Sequence, residues 1–449
     1  MMNTILDFSK ERTRTFLLCL FFLALSMRLC AVFLYTFLPI PGTEINLDYE
    51  YGIIAKAIAG GKGYSAPVVE FDSDFIPKHF IDYKPTANQT PFFPYFLSIF
   101  YSITSDTVAL FLVRFVHAIF SALTCVIVYV IALRVVHYKA AFILGILCTC
   151  YPLFISVILR IVPETFFTFF LSLTILYLLI LKESPSRKNI VITGMLIGVT
   201  LLNSNVIMPF IFLIGIWLLL NIKDTFRNKL LKISFVFIIT ILVISPWLIR
   251  NFVVFNKFPL LKSTAGFNLW LGNNPSASGT FFSKSREDVN LIILRKFPKA
   301  FDLSEVERDS IFYGDAINFI KTHPLYYLKS VLKRFYYFWW FPPDELVTKN
   351  VSHYKKLMVI PYMVILFSCI IGIFSSKNKW RESLLLVALM LSISFLYSLF
   401  IVGHMRYRTP IEPYILLFAS QTIFLFIRGF VRMCVHPYRN RIEHNLKSN

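Results

Sequence analysis

The sequence predicts an all-α protein that crosses a membrane many times. Of its 449 residues, 57% are apolar, 17% aromatic and 16% charged, whereas a soluble globular domain has roughly a quarter charged and about 45–50% apolar residues. A single water-soluble core of this length could not bury so much apolar surface. Ten mostly apolar runs approach the roughly 20 residues that a membrane-crossing helix requires. They are 15–38, 107–135, 139–158, 164–182, 188–204, 206–222, 231–249, 356–376, 382–402 and 411–428.

The charges between these runs predict how the bundle is oriented. Four short connections are rich in lysine and arginine, and a ten-span arrangement places all four on one side. They are Arg134 to Lys139, Lys182 to Lys188, Lys223 to Lys232 and Lys377 to Arg381. The basic N-terminal residues 10–14 and the tail from Arg428 fall on the same side. Because cytoplasmic loops carry an excess of lysine and arginine, we expect both termini in the cytoplasm.

This arrangement predicts one transmembrane domain over 1–430 and a basic cytoplasmic tail over 431–449. The first apolar run lacks a small-residue cleavage site, so we interpret it as a retained helix and not as a signal peptide. Two long segments, 41–106 and 250–355, remain on the outer face. We expect them to form small helices that rest on the membrane.

Local signals define several of these outer helices. The pattern from Tyr51 to Ala59 is helical and ends at two glycines, which is a common way to stop a helix. The segments 91–101 and 325–340 are rich in aromatic residues, and we interpret both as helices in the membrane interface. Ser304 and Glu307 have the spacing of a capping box, which predicts a helix that runs to about Lys321.

The composition also excludes several classes of function. The net charge of +20 is typical of basic cytoplasmic loops, and no basic–aromatic motif indicates a nucleic-acid partner. The seven cysteines show no zinc spacing and predict no disulfide framework. Neither a phosphate-binding P-loop nor a dinucleotide motif is present. No internal repeat supports a transporter built from inverted repeats.

Two carboxylates at the outer ends of predicted spans are the first candidates for chemistry. Asp48 follows the first span and Glu164 opens the fourth. A carboxylate so close to hydrocarbon is costly unless it has a partner or a role. Two structural alternatives remain open. Asp48 could cap the helix that begins at Tyr51, and Glu164 could form a local ion pair with Arg160.

Further polar residues follow the seventh span and precede the last one. Arg250 and Asn251 lie at the interface, and Asn273 belongs to a loop with several glycines. Arg406 and Arg408 occupy a short outer loop, where arginine is not expected, and guanidinium groups suit phosphate. If that loop were extended, the two side chains would share one face. We interpret Arg28, Arg114 and His117, which lie within spans, as partners in structural pairs.

Several segments, taken in order, resemble bacterial members of glycosyltransferase family 39. These are relatives of the dolichyl-phosphate-mannose protein mannosyltransferases and of the lipid A aminoarabinose transferase, in the multispan GT-C class. The similar stretches are Asp48 with Tyr51 and GGKGYS (60–65), KPTANQTPFFPYF (84–96), YPLFISVILRIVPETFF (151–167), SPWLIRNF (245–252), GFNLWLGNNPSASG (266–279), INFIKTHPLYYLKSVLKRFYYFW (317–339) and MRYRTPIEPY (405–414).

The resemblance implies an enzyme of the bacterial plasma membrane with its active site on the outer, periplasmic face. Such an enzyme transfers a sugar from a polyprenyl-phosphate carrier to a hydroxyl of a glycolipid, polysaccharide or protein. By resemblance, Asp48 is the catalytic base, Glu164 helps to arrange the site, and Lys84 meets the carrier phosphate. The chain has Asp48-Tyr49-Glu50 where an adjacent Asp-Glu pair is commoner, so Glu50 is the alternative base.

The chemistry of the residues agrees with this reaction. Transfer with inversion needs one base for the acceptor proton, and positive charge near the phosphate stabilises it as it leaves. The outer cations Lys84, Arg250, Arg406 and Arg408 are available for that purpose. With them we group Glu50, Tyr51, Asn251 and Asn273 as candidate substrate-binding residues. The sequence indicates no definite cofactor. A divalent metal near the carboxylates is compatible with this chemistry, but no ligand spacing demands one. The alternatives are a transporter or flippase of lipid-linked sugars and a surface-polysaccharide polymerase or ligase.

Overall fold

The computed structural model describes the chain as a helical bundle with short elements at one end. The described residues are 2–38, 50–71, 77–278, 289–300, 303–340, 353–400 and 405–447. In the first half, the helices are α1 (Met2–Phe37), α2 (Glu50–Ala59), α3 (Phe92–Ile103), α4 (Asp106–Val135), α5 (Tyr138–Cys150), α6 (Pro152–Ile158), α7 (Glu164–Glu183), α8 (Arg187–Asn203) and α9 (Met208–Asn221). In the second half they are α10 (Phe226–Phe255), α11 (Ala265–Gly272), α12 (Val289–Lys296), α13 (Glu305–Thr322), α14 (Pro324–Trp339), α15 (His353–Ser375), α16 (Trp380–Leu399) and α17 (Glu412–Lys447).

The chain is a multispan membrane protein, although the predicted count of ten spans is not confirmed. Within the described residues, six helices are long and apolar enough to cross a bilayer, or seven if the bent pair α5–α6 forms one span. Pro152 starts α6, and the axis bends there by 43°, so the predicted run 139–158 is a broken helix. The predicted runs 188–204, 206–222 and 356–376 are also helical, but α8 and the apolar helices Asn205–Asn221 and Val359–Ser375 are shorter than a full span.

The short basic connections lie together at one end of the bundle, as the sequence predicts. Lys182 at the end of α7 pairs with Glu382 at the start of α16. The indole of Trp217 donates a hydrogen bond to the carbonyl oxygen of Arg381 (2.8 Å). Arg134 and Glu183 form a further pair (3.4 Å). The helices α4, α7, α9 and α16 therefore end or begin at this basic end, and Glu164 lies at the opposite end of α7.

Arg28 is a fully buried charge inside the bundle, and its surroundings confirm a structural role. Its guanidinium donates to the Ser121 hydroxyl (2.7 Å) and to backbone carbonyls of α1 and α5. Arg114 likewise donates to the carbonyl of Leu159 (3.0 Å) and stacks on Tyr35. A buried charge is costly unless it is hydrogen-bonded, and here neutral acceptors of neighbouring helices supply the bonds. These bonds connect the first span to the rest of the bundle.

A small β-hairpin departs from the all-helical prediction. Strand β1 (Ser65–Phe71) pairs antiparallel with β2 (Pro77–Pro85), so that Ala66 lies opposite Lys84. The hairpin is not predicted from the sequence, because Pro67, Pro77 and Pro85 are poor strand residues. Helix α2 ends just before the hairpin, and Gly61 and Gly63 have positive φ. This confirms the predicted glycine stop and turns the chain into the first strand.

The described residues of the segment after α10 form the helices α11, α12, α13 and α14, as the outer segment was predicted to be helical. The capping box of Ser304 and Glu307 is present at the start of α13. Helix α14 is amphipathic and exposes an apolar stripe of Leu325, Leu328, Leu332 and Tyr336. The buried Arg334, on the other side of α14, donates to the carbonyl oxygens of Gly272 and Ser398 (both 2.6 Å). Such a helix is suited to lie in the membrane interface, as predicted, and Arg334 attaches it to the bundle.

The tight packing of α15 against α17 yields a stability prediction. A Cβ atom at Gly372 would overlap the carbonyl oxygen of Phe418, whereas a Cβ at Gly429 would meet no atom within 4 Å. We expect Gly372→Ala to destabilise the protein by about 1–3 kcal/mol, the usual cost of overpacking. The matched control Gly429→Ala should have no destabilising effect, because alanine favours helix. Thermal unfolding in detergent measures both, and equal midpoints for the two variants would contradict the packing described for Gly372.

Candidate active site at the end opposite the basic connections

Glu164 lies at the end of the bundle opposite the basic connections and pairs with an arginine far away in the sequence. It is the first residue of α7, is 8% exposed, and its Oε1 lies 3.4 Å from Nε of Arg406. Arg160 is exposed, and no pair between it and Glu164 is seen in the described chain. The alternative of a local Arg160–Glu164 pair is therefore wrong. The second oxygen of Glu164 has no hydrogen-bond partner among the described residues, so the carboxylate retains an accepting position.

Further ionisable groups surround this pair. The charges of Glu164, Arg406 and Glu50 all act on the Tyr51 hydroxyl, and burial raises its pKa well above the usual value. The ring of Tyr407, which also acts on Tyr51, stacks on Tyr397 with centroids 4.7 Å apart. The structure therefore brings together four predicted residues from three distant segments. We call Glu50, Tyr51, Glu164, Lys262, Arg406 and Tyr407 the rim cluster.

Lys262 is the member of the rim cluster that sequence reasoning missed. It lies in the loop between α10 and α11 and is half-buried. Burial lowers the pKa of its amine, while the carboxylates Glu50 and Glu164 oppose that effect and Arg406 adds to it. The outer segment 250–355 contains many lysines and arginines, so no sequence signal set Lys262 apart from the others. Its proximity to the two carboxylates depends on the fold.

The two arginines of the last outer loop do not act as one pair. Residues Met405–Arg408 form a 3₁₀ turn, so the extended arrangement considered above is wrong. Arg408 is 3% exposed, pairs with Glu412 one helical turn later, and lies 3.9 Å above the Tyr362 ring. Tyr151 donates a hydrogen bond to the other oxygen of Glu412 (2.8 Å). Arg408 is therefore part of the interior, and Arg406 is the arginine at the rim.

Arg250 and Asn251 connect the end of α10 to neighbouring loops. Arg250 donates to the carbonyl oxygens of Thr86 (2.8 Å) and Tyr64 (2.7 Å). Asn251 is 1% exposed and donates to the carbonyl oxygen of Pro259 (3.2 Å). These contacts hold three segments against α10. They are the residues before the hairpin, the residues after it, and the loop of Lys262. In this structure both residues support the site from outside the rim cluster.

Asn273 also has a structural environment. It is 2% exposed, donates to the carbonyl oxygen of Leu269 (2.8 Å), and accepts from Arg334 (3.0 Å). It therefore belongs to the junction of α11, α14 and α16. No contact places it in the rim cluster.

Lys84 and Asp48 are the remaining predicted residues. Lys84 lies on β2 and its side chain is exposed. Five residues later, Gln89 donates a hydrogen bond to Glu50, which connects this element to the rim cluster. Asp48 lies outside the described residues. Within the described ranges no three His, Cys, Asp or Glu side chains are grouped closely enough to hold a metal ion.

Comparison with known families supports the resemblance seen in the sequence. Residues 88–249 match the family described as dolichyl-phosphate-mannose-protein mannosyltransferase. This range includes Glu164 and most of the bundle from α3 to α10. No curated protein matches the chain. The predicted resemblance to the mannosyltransferase family is confirmed for the matched part of the chain.

The fold is similar to that of solved GT-C glycosyltransferases. The oligosaccharyltransferase of Archaeoglobus fulgidus in its apo form superposes with a TM-score of 0.54 at 15% identity, over 96% of this chain and 52% of that one. The structure of the same organism's AglB with an inhibitory peptide and a dolichol-phosphate gives 0.51 at 14%, with the same coverage. ArnT of Cupriavidus metallidurans with undecaprenyl phosphate gives 0.41 at 12%, over 89% and 77%.

These comparisons define the class of fold. The chain spans about half the length of the oligosaccharyltransferase structures that it matches. The predicted fold class, a GT-C-like helical membrane bundle, is confirmed. The chain is thus a multispan protein with a GT-C-like fold, and its residues 88–249 match the family described as dolichyl-phosphate-mannose-protein mannosyltransferase.

The buried pair at the rim allows a direct test of coupling. Replacing Arg406 by methionine leaves the Glu164 carboxylate buried without its partner, and such changes cost about 3–5 kcal/mol. We expect the double variant Glu164→Gln/Arg406→Met to be more stable than Arg406→Met alone, because the amide carries no charge. Unfolding in detergent gives the change in the free energy of unfolding for each single variant and for the double variant.

The exposed Arg160, four residues before Glu164, supplies the control for this cycle. Arg160→Met should change stability by less than about 0.5 kcal/mol, as is usual for surface positions. Strictly additive effects of the Glu164 and Arg406 substitutions would show that the two side chains do not interact.

Proposed function

We propose that this protein is a membrane glycosyltransferase that takes a sugar from a polyprenyl-phosphate carrier and transfers it to an acceptor hydroxyl. The observation that carries the proposal is the rim cluster, which places two cations and two carboxylates at one end of a bundle with the GT-C fold. The family match adds support, because the family is named for a dolichyl-phosphate-linked sugar donor. One of the similar solved structures contains a dolichol-phosphate.

Arg406 and Lys262 are suited to bind the donor phosphate. Both lie where Glu164 and Glu50 compensate their charge in the absence of a ligand. A phosphate bound between them neutralises part of their positive charge in place of the carboxylates. It also makes charge-assisted hydrogen bonds, which are roughly twice as strong as neutral ones. Because the site is shielded from water, these cations stabilise the extra negative charge that forms as the phosphate leaves.

Asp48 is the proposed base. It precedes Glu50, the first residue of α2 and a member of the rim cluster, by two positions. In the reaction the base takes the acceptor hydroxyl proton, and the acceptor oxygen forms a bond to the anomeric carbon. The bond from that carbon to the phosphate oxygen breaks on the opposite side, so the configuration inverts. Glu50 is held by Gln89, which favours a positioning role for it over that of the base.

The charge distribution supports an outer-face location. The basic connections at the other end of the bundle favour the cytoplasm, which supports an outer-face position for the rim cluster and a cytoplasmic position for both termini. We propose the bacterial plasma membrane as the location. The acceptor is a glycolipid, a polysaccharide or a protein with a hydroxyl group at that face.

The function is tested by transfer of a radiolabelled sugar from a polyprenyl-phosphate donor in membrane vesicles. We expect Asp48→Asn to reduce transfer at least a hundredfold, because the amide keeps the shape and loses the basicity. Binding of polyprenyl phosphate should be unchanged in this variant. Glu50→Gln is the matched comparison and should lose much less activity than Asp48→Asn, because a positioning carboxylate is replaced and the base is kept.

Wild-type transfer by Asp48→Asn together with a loss in Glu50→Gln would identify Glu50 as the base. Movement of the intact donor across the vesicle membrane without release of its sugar would contradict the enzyme and favour a flippase.

A further inference from the structure

Helix α13 lies on residues 263–270, the end of the Lys262 loop and the start of α11, and binds them through three acidic side chains. Glu305 accepts from the hydroxyl of Ser263. Asp309 accepts from the backbone N–H groups of Gly266 (3.0 Å) and Phe267 (2.8 Å). Asp315 accepts from the indole of Trp270 (2.8 Å). The four bonds follow one another along both segments, so α13 determines the position of residues 263–270.

The packing between the two segments leaves no space for adjustment. A Cβ atom at Gly266 would overlap the backbone carbonyl oxygen of Asp309. The adjoining cluster of Trp270 and Phe312 is buried, with ring centroids 5.6 Å apart. Because tightly packed backbone cannot slide without clashes, the C-terminal end of the Lys262 loop is held in one position.

Glu305 extends this arrangement to a second loop. Its Oε2 accepts from the Thr86 hydroxyl (2.6 Å) and its Oε1 accepts from the backbone N–H of Ala87 (2.9 Å). The N–H of Ser263 also donates to the carbonyl oxygen of Ala87 (2.9 Å). One carboxylate therefore joins the loop before Gln89 to the loop that contains Lys262. Thr86 directly follows β2, the strand that carries Lys84.

The donors at this contact suit a carboxylate. Glu305 receives three hydrogen bonds, two of them from hydroxyl groups, and a carboxylate accepts at both oxygens. Glutamine at this position would offer one accepting oxygen and one donating amide. Burial raises the pKa of Glu305, while the bonds from Thr86 and Ala87 oppose that effect.

We propose that Glu305 is a positioning residue for donor binding, because it holds the residues after β2 and the loop of Lys262 together beside the rim cluster. The inference rests on the proposed function, in which Lys262 binds the donor phosphate. Glu305 itself does not touch the phosphate. Its effect on the donor passes through Lys262, and this sets it apart from a residue that only stabilises the fold.

The test is a double-mutant cycle on the affinity of the full-length protein for polyprenyl phosphate in detergent micelles. We expect Glu305→Gln to weaken binding about fivefold to tenfold in the parent protein. In a Lys262→Gln background the same change should weaken binding less than twofold, because the cation that it positions is absent. The turnover number with a polyprenyl-phosphate sugar should fall less than the affinity does.

Glu307 provides the matched control on the same helical turn. Its carboxylate is at the surface, where it caps α13 through Ser304 and pairs with Lys257 (3.2 Å). Glu307→Gln should leave donor affinity within twofold of the parent. If Glu305→Gln does not fold, Ser263→Ala removes one of the three bonds and should show the same dependence on Lys262, with a smaller effect.

The outcomes distinguish this inference from the proposed function. Equal losses of affinity from Glu305→Gln in both backgrounds would overturn the positioning role, as would a parent-like affinity of Glu305→Gln. If the parent protein itself does not bind polyprenyl phosphate, the proposed function fails first. If Lys262→Gln binds as the parent does while Glu305→Gln is weakened, Glu305 acts through another group and the inference is wrong.

Discussion

The buried ion pair between Glu164 and Arg406 is the interaction on which the candidate site depends. Both side chains are largely shielded from water, and a charge in such a place is tolerated only with a partner. The pair joins the start of α7 to the turn that precedes the last span. Tyr51, Lys262 and Glu50 surround it from the two outer segments. The Glu164 carboxylate, which the buried Arg406 needs as a partner, thus also organises a charged site that can bind a phosphate.

The other buried arginines show by contrast why this pair is distinctive. Arg28 and Arg334 have no exposed surface, and their hydrogen bonds go to neutral acceptors. Arg408 is paired with Glu412 inside the bundle. In all three cases the bonds hold helices together. Glu164, by comparison, keeps one oxygen without a hydrogen-bond partner in the described chain, as expected for a site that binds a further polar group.

The sequence predicted the local features of the fold well and its long-range contacts poorly. The apolar runs, the capping box at Ser304 and the glycine stop after α2 are set by neighbouring residues, and they are confirmed. The choice of Glu164 as a candidate also followed from its place beside an apolar run. Its pairing with Arg406, the burial of Arg408 and the role of Lys262 depend on distant segments meeting in space, for which a single sequence contains no periodic signal.

The central claim is that the rim cluster binds the phosphate of the donor. The measurement that tests it most directly is a structure of the full-length protein with bound polyprenyl phosphate. We predict that the phosphate lies within hydrogen-bond distance of both Lys262 and Arg406, next to Glu164. A phosphate held elsewhere, for example by Lys84 alone with the Glu164–Arg406 pair and Lys262 left without contact to it, would contradict the account.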